Sequence, residues 1–201
     1  MATKIEICNM ALSHLGTGKV IQSLTERSEE ARSINTFYDV AYVATIRDFS
    51  IPSTKKFLTL QLVEENPTSE WRYSYRYPNE CVLIKRILSG TRNDSRQTRV
   101  PFIESQDSSG KLILTDAVDA VIEAVTRPTS ESFLPPDMAL ALSYRLAYYI
   151  APRTTGGNAF TGLKKDMMDG YLNELAIARR NAANEIQPEE VPESEFIRGR
   201  E

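Results

Sequence analysis

Residues 29–62 read Glu29-Glu-Ala-Arg-Ser-Ile-Asn-Thr-Phe-Tyr-Asp-Val-Ala-Tyr-Val-Ala-Thr-Ile-Arg-Asp-Phe-Ser-Ile-Pro-Ser-Thr-Lys-Lys-Phe-Leu-Thr-Leu-Gln-Leu62, and the spacing of apolar side chains changes across Pro52. Before it, Ala31, Ile34, Phe37/Tyr38, Ala41/Tyr42, Ile46 and Phe49 recur with a period near 3.6, the stripe of an amphipathic helix. Thr25 and Ser28 are both able to cap that helix, Glu26, Glu29 and Glu30 suit its positive end, and Ser50-Ile-Pro52 stops it because proline has no N–H to continue with. After it, Leu58, Leu60 and Leu62 alternate with Thr59 and Gln61, which is strand spacing. A helical segment therefore gives way to a β segment at this point, and the chain reads as α+β.

Towards the N-terminus, Ile5, Cys8, Leu12 and Leu15 form one helical stripe over residues 3–15, ended by Gly16. Beyond residue 62, Trp71, Tyr73, Tyr75 and Tyr77 alternate with polar residues, and apolar runs follow at Cys81–Leu88, Thr98–Ile103, Lys111–Thr115 and Ala120–Val125. Asp107-Ser-Ser-Gly110 has hairpin composition. One antiparallel sheet of about five or six strands is expected over residues 57–127. Past Pro128–Pro136, Met138, Ala139, Leu142, Leu146, Tyr149 and Ile150 mark an Ala-rich helix up to Pro152, and Leu163, Met167, Tyr171, Leu175 and Ala178 mark a long one from about Phe160 to Glu185. The expected organisation is a bundle of about four helices from residues 1–56 and 130–185, an inserted antiparallel β domain at 57–129, and an extended C-terminal tail at 186–201. That tail is acidic, proline-bearing and poor in core residues, the composition of a disordered segment.

Composition narrows the function classes. The 201 residues carry 24 Lys+Arg against 27 Asp+Glu, a net charge of −3 that offers no global field for nucleic acid. No apolar run approaches the roughly 20 residues of a membrane span, and the start, Met1-Ala-Thr-Lys-Ile, lacks secretory grammar, so a cytoplasmic origin is expected. Cys8 and Cys81 are too few for a disulfide framework and, with His14 as the one histidine, for a Cys/His zinc set; buried thiols and no cofactor are expected.

The remaining candidate chemistry is thin. Gly16-Thr-Gly-Lys19 lacks the first glycine and the Ser/Thr of a phosphate loop. Cys8 and His14 lie six residues apart on one helix, about 240° around it, and do not meet. Asp116/Asp119 and Asp166/Asp169 are the carboxylate pairs a glycan-degrading enzyme would need, but spacing alone does not make them converge. Residues 72–99 hold Arg72, Arg76, Lys85, Arg86, Arg92, Arg96 and Arg99 among aromatics, against Glu80 and Asp94. That stretch suits the solvated side of a sheet, a protein partner, or a DNA-binding regulatory face.

The order of segments resembles one family. Ile7-Cys-Asn-Met-Ala-Leu-Ser-His-Leu-Gly16, then Ile21-Gln-Ser-Leu-Thr-Glu-Arg-Ser-Glu-Glu-Ala-Arg32, Phe37-Tyr-Asp39 and Arg47-Asp-Phe49 resemble the head-to-tail adaptors of tailed bacteriophages, the tail tubular protein A family. Trp71-Arg-Tyr-Ser-Tyr-Arg-Tyr-Pro-Asn-Glu-Cys81, the Ala-rich helix and Glu193-Ser-Glu-Phe-Ile-Arg-Gly-Arg200 fall in the matching places; a tryptophan expected near Pro52 is absent. The resemblance implies a structural virion protein and no enzyme. Twelve copies would form a ring beneath the portal protein, above a downstream tail or nozzle protein, with genomic DNA passing through without specific binding. The location implied is the head–tail junction, after assembly in the host cytoplasm. On this reading Val191, Phe196 and Ile197 are a hydrophobic anchor, Arg198 and Arg200 pair with acidic groups of the portal, and Arg72, Arg76, Arg92, Arg96 and Arg99 are candidate contacts to the tail or a neighbouring subunit.

Overall fold

The structure, a computed structural model, describes residues 2–90, 98–154 and 160–185. Among these the chain is α+β, with four α-helices and two antiparallel sheets. Helix α1 (Lys4–His14) opens on a reciprocal cap: the Thr3 hydroxyl accepts the Glu6 N–H, and the Glu6 carboxylate accepts the Thr3 N–H at 2.6 Å. Its end at Gly16, φ +66°, uses the left-handed backbone that glycine adopts without strain. Of the two cap candidates for α2 (Glu29–Asp48), Ser28 performs the role, accepting the Ala31 N–H. The helix stops four residues before Pro52, which heads a short 3-10 turn.

Helix α3 (Pro136–Thr154) runs through Pro152 instead of ending before it. Beyond the proline, the Thr154 hydroxyl donates to the carbonyls of Ile150 and Ala151, so this turn keeps a donor the proline cannot give. Helix α4 spans Phe160–Glu185, the range its periodicity predicts. Helices α1, α2 and α4 all pack on α3. The close approach follows from sequence: Ala139, Ala141, Ala147 and Ala151 are buried on α3, where small side chains let neighbouring backbones come near. Ile7 and Leu12, Ile34 and Tyr42, Leu142 and Leu146, and Tyr171 and Leu175 fill the space between, each apolar side chain contributing roughly 1.5–3 kcal/mol of burial.

The β region departs from the single sheet expected. Strands β1 (Lys55–Thr59), β7 (Val121–Thr126) and β4 (Cys81–Ile87) form one sheet in the order β1-β7-β4. Strands β2 (Leu62–Glu65), β3 (Tyr73–Arg76), β6 (Gly110–Thr115) and β5 (Phe102–Asp107) form a second in the order β2-β3-β6-β5. The chain changes sheets at Leu60-Gln61: the Leu60 N–H donates to Ala120 O in the first, and Gln61 O accepts the Arg76 N–H in the second, both at 2.9 Å. The run Leu58–Leu62 is therefore two strands. Leu58 and Leu60 serve the core between the sheets, while Leu62 is left 45% exposed. The first sheet is a middle layer. Val125, Val82 and Leu83 pack towards the helices, and Ile84, Ile87, Ile122 and Ala124 pack towards Tyr75 and Ile113 of the second sheet. The hairpin read at Asp107–Gly110 joins β5 to β6, with Gly110 at φ +142°.

Candidate functional site

A cleft of about 490 Å³ opens where the C-terminal ends of α2 and α4 meet the three-stranded sheet. Its polar lining is Asp48 from α2, Lys55 from β1, Lys85 and Arg86 from β4, Glu123 from β7 and Arg179 from α4; Phe49, Pro52, Ala182 and Ala183 supply apolar wall. Pro52 sets the corner, because ending α2 there lets Lys55 start the neighbouring strand. A register shift between Ile84 and Arg86 brings two consecutive residues, Lys85 and Arg86, to the same cleft, which regular strand alternation forbids.

The charges are only partly matched. Glu123 binds Arg86 Nε at 2.8 Å and Lys55 Nζ at 3.4 Å; burial alone would raise its carboxyl, but the two cations overcome this and hold it below the ordinary range. The Asp48 carboxylate accepts the Tyr171 hydroxyl at 2.6 Å and is paired with Arg145 on the side away from the cleft. Burial, ahead of the hydrogen bond to Asp48, pushes the Tyr171 phenol up to about 12. Arg179 donates to the Asp48 carbonyl at 3.1 Å, so it meets the negative end of α2 and, among the described residues, no carboxylate. Lys85 is exposed and has no carboxylate within ion-pair distance among the described residues. Among the described lining residues four cations meet two carboxylates, and Lys85 and Arg179 have no carboxylate partner among them, in a chain of net charge −3.

A second cleft of about 550 Å³ lies between α2, the start of β4 and the β5–β6 hairpin, lined by Arg47, Lys111, Arg127, Glu80, Glu104 and Cys81 among others. Its charges are closer to balance, and Arg127 is already bound to Asp39 at 2.9 Å. Burial raises the Cys81 thiol above its usual value, and it pushes that of Cys8, fully buried in the helical core, up to about 12. Both cysteines are free thiols, Cys81 only half-buried, where the sequence suggests two buried ones.

The basic stretch of residues 72–99 does not assemble as one stripe among the described residues. Arg76 forms a two-pronged pair with Asp107, Nη1–Oδ1 2.9 Å and Nη2–Oδ2 3.0 Å, which holds that carboxyl at about 2. Arg72 precedes the opposite end of β3, its N–H donating to Asp116 at 3.0 Å. Lys85 and Arg86 sit on the other sheet, and Arg99 is exposed before β5. Arg92 and Arg96 lie outside the described residues, as do Val191, Phe196, Ile197, Arg198 and Arg200. Of the carboxylate pairs, Asp116 is taken up by the Arg72 amide, and Asp166 and Asp169 are exposed on α4. His14 stacks on Tyr144 with ring centroids 3.8 Å apart and meets the Ser143 hydroxyl at 3.0 Å.

Asp48, Lys55 and Arg179 were not legible as site residues. They stand 7 and 124 positions apart, and nothing in local spacing announces that they share a cleft. The signals present were the pair Lys55-Lys56 directly after Pro52 and the Arg179-Arg180 pair near the end of α4. No helix among the described residues is long and apolar enough to cross a membrane, and no group of acidic, histidine or cysteine side chains among them is arranged to hold a metal ion. No protein-family model matches the chain, and no curated protein matches it.

Proposed function

We propose that the chain is a structural virion protein, a head-to-tail adaptor whose copies close into a ring beneath the portal, join capsid to tail and surround part of the DNA exit channel. On this reading the helices of residues 1–56 and 130–185 form a bundle, residues 57–129 are an inserted β domain, and residues 186–201 are the arm that reaches the portal. The ordered resemblance of residues 7–49, 71–81 and 193–200 motivates it.

The observation that carries it is the margins of the second sheet, which no further strand covers among the described residues. Outer strand β2 is exposed along all four residues, and outer strand β5 along every residue after Phe102. Leu62, Val63 and Ile103, all at least 42% exposed, lie on these margins. Unpaired edges with apolar side chains cost solubility in a lone chain and are what a subunit presents when neighbours cover both of its sides. Contacts of this kind are heterologous: one margin meets a different margin of the next copy, and the rotation closes into a ring.

Light scattering on the full chain, alone and mixed with portal rings of the same virus, tests the proposal. The expected result is co-migration with a mass gain near twelve copies, lost on deletion of residues 186–201. No association under any assembly condition overturns it.

A further inference from the structure

The positive cleft stands within reach of an acidic segment of the same chain. Arg179, Ala182 and Ala183 of α4 line it, and among the described residues α4 runs to Glu185, two residues past the last of them. The chain continues for residues 186–201, of which 189–195 read Glu-Glu-Val-Pro-Glu-Ser-Glu: four carboxylates and no cation. At about 3.3 Å per extended residue, the four positions from Glu185 to Glu189 span up to about 13 Å, enough to turn back across the cleft mouth. Charge and apolar character match. Among the described lining residues Lys85 and Arg179 meet no carboxylate, and Phe49 and Pro52 form apolar wall, while Val191 and Pro192 sit between the paired glutamates in the sequence.

We propose that residues 189–195 dock in this cleft of their own chain, their glutamates pairing with Lys55, Lys85 and Arg179. A short tether gives an effective concentration in the millimolar range, so a contact weak between separate molecules is well populated within one. The contact does not depend on the adaptor reading. Its consequence for assembly does: an arm held on its own subunit is withheld from the portal until a better acceptor displaces it, which keeps subunits from engaging out of order.

Zero-length carbodiimide coupling of the full chain at low salt, read by peptide mass spectrometry, tests this. The reagent joins a lysine amine to a glutamate carboxylate, forming an amide with loss of water, only where the two touch. Lys55–Glu123, at 3.4 Å, is the internal control for reagent and fold. The expected result is linkage of Lys55 and Lys85 to Glu189, Glu190, Glu193 or Glu195 in material of single-chain mass, at a yield unchanged by tenfold dilution. At about 0.5 M salt, where the Debye length falls to about 4 Å, the tail links drop at least about fivefold. Arg179→Glu reduces them by a similar factor with the Lys55–Glu123 link retained. Tail links spread evenly over other exposed lysines such as Lys165 overturn the proposal. So do links found only at dimer mass, which make a second copy the occupant, or tail links unaffected by salt and by Arg179→Glu. A chain whose tail fails to link yet still carries portal binding refutes this docking and leaves the proposed function standing.

Discussion

Replacing Gly170 by alanine places a methyl carbon 2.7 Å from Cε1 and 2.8 Å from Cδ1 of Tyr144, where α4 crosses α3. Ordinary carbon–carbon contact is about 3.5–4.0 Å, so ring or helix must retreat by roughly 1 Å. The ring is not free to do so, because Tyr144 is stacked on His14 at the end of α1, and moving it disturbs a third helix. Overpacking of this kind costs about 1–3 kcal/mol, while alanine returns about 1 kcal/mol of helix propensity over glycine. Gly162, in the first turn of the same helix, has no described atom within 4 Å of the position its Cβ would take. Gly162→Ala therefore collects the propensity gain alone, and the difference between the two variants isolates the packing cost. Urea unfolding followed by circular dichroism should place Gly170→Ala about 1–3 kcal/mol below Gly162→Ala. In a Tyr144→Leu background that gap should close, because the clashing ring edge is gone. A Gly170→Ala chain as stable as Gly162→Ala would refute the packing of α4 on α3 described above.

Two further perturbations address the polar contacts. Asp48→Asn removes the charge that meets Arg145, whose side chain is 14% exposed and whose Nε is buried without a partner among the described residues; because the Asp48 side chain is 42% exposed, the cost in urea unfolding should be about 1–2 kcal/mol, and a loss under about 0.5 kcal/mol, the size of an exposed pair, would show the cluster to be ornamental. Burial holds the His14 imidazole below its ordinary pKa, so on acidification the unfolded chain takes up a proton the folded chain resists. The stability from this group is fully present above the unfolded value of about 6.5 and is lost as pH falls from there through the lower folded value; unfolding at pH 7.5 and 5.5 should show a drop that His14→Gln abolishes, and equal drops in both chains would exclude His14 as the cause.

How far the sequence could be read follows from how local each determinant is. Helix ends were legible because the groups that set them lie within a turn: Ser28 for Ala31, Gly16 after His14, Pro52 beyond Asp48. The Thr3–Glu6 cap was equally available in the sequence and sits at the first turn of α1. Pro152 does not end the helix before it because the Thr154 hydroxyl donates to the carbonyls of Ile150 and Ala151, supplying a donor that the proline lacks. In the β region, alternation marked extended chain but not membership of a sheet. The change of partner at Leu60-Gln61 is decided by Ala120 and Arg76, 60 and 15 residues away, and a strand's own sequence does not encode which edge it joins.

The cleft was the least legible feature, for the same reason compounded. Lys85 and Arg86 read as neighbours on opposite faces of a strand, one of them pointing away from whatever the other met. The register shift between Ile84 and Arg86 cancels that expectation and doubles the positive charge facing α2 and α4. Arg179 then reaches the same opening from a helix more than 90 residues downstream, anchored by the Asp48 carbonyl at the end of α2. Each cation taken alone is an ordinary solvated side chain. Brought together around a wall of Phe49 and Pro52, with Glu123 answering only two of them, they make a site whose natural complement is a run of carboxylates broken by small apolar residues, and the chain carries one such run directly after the helix that lines the cleft.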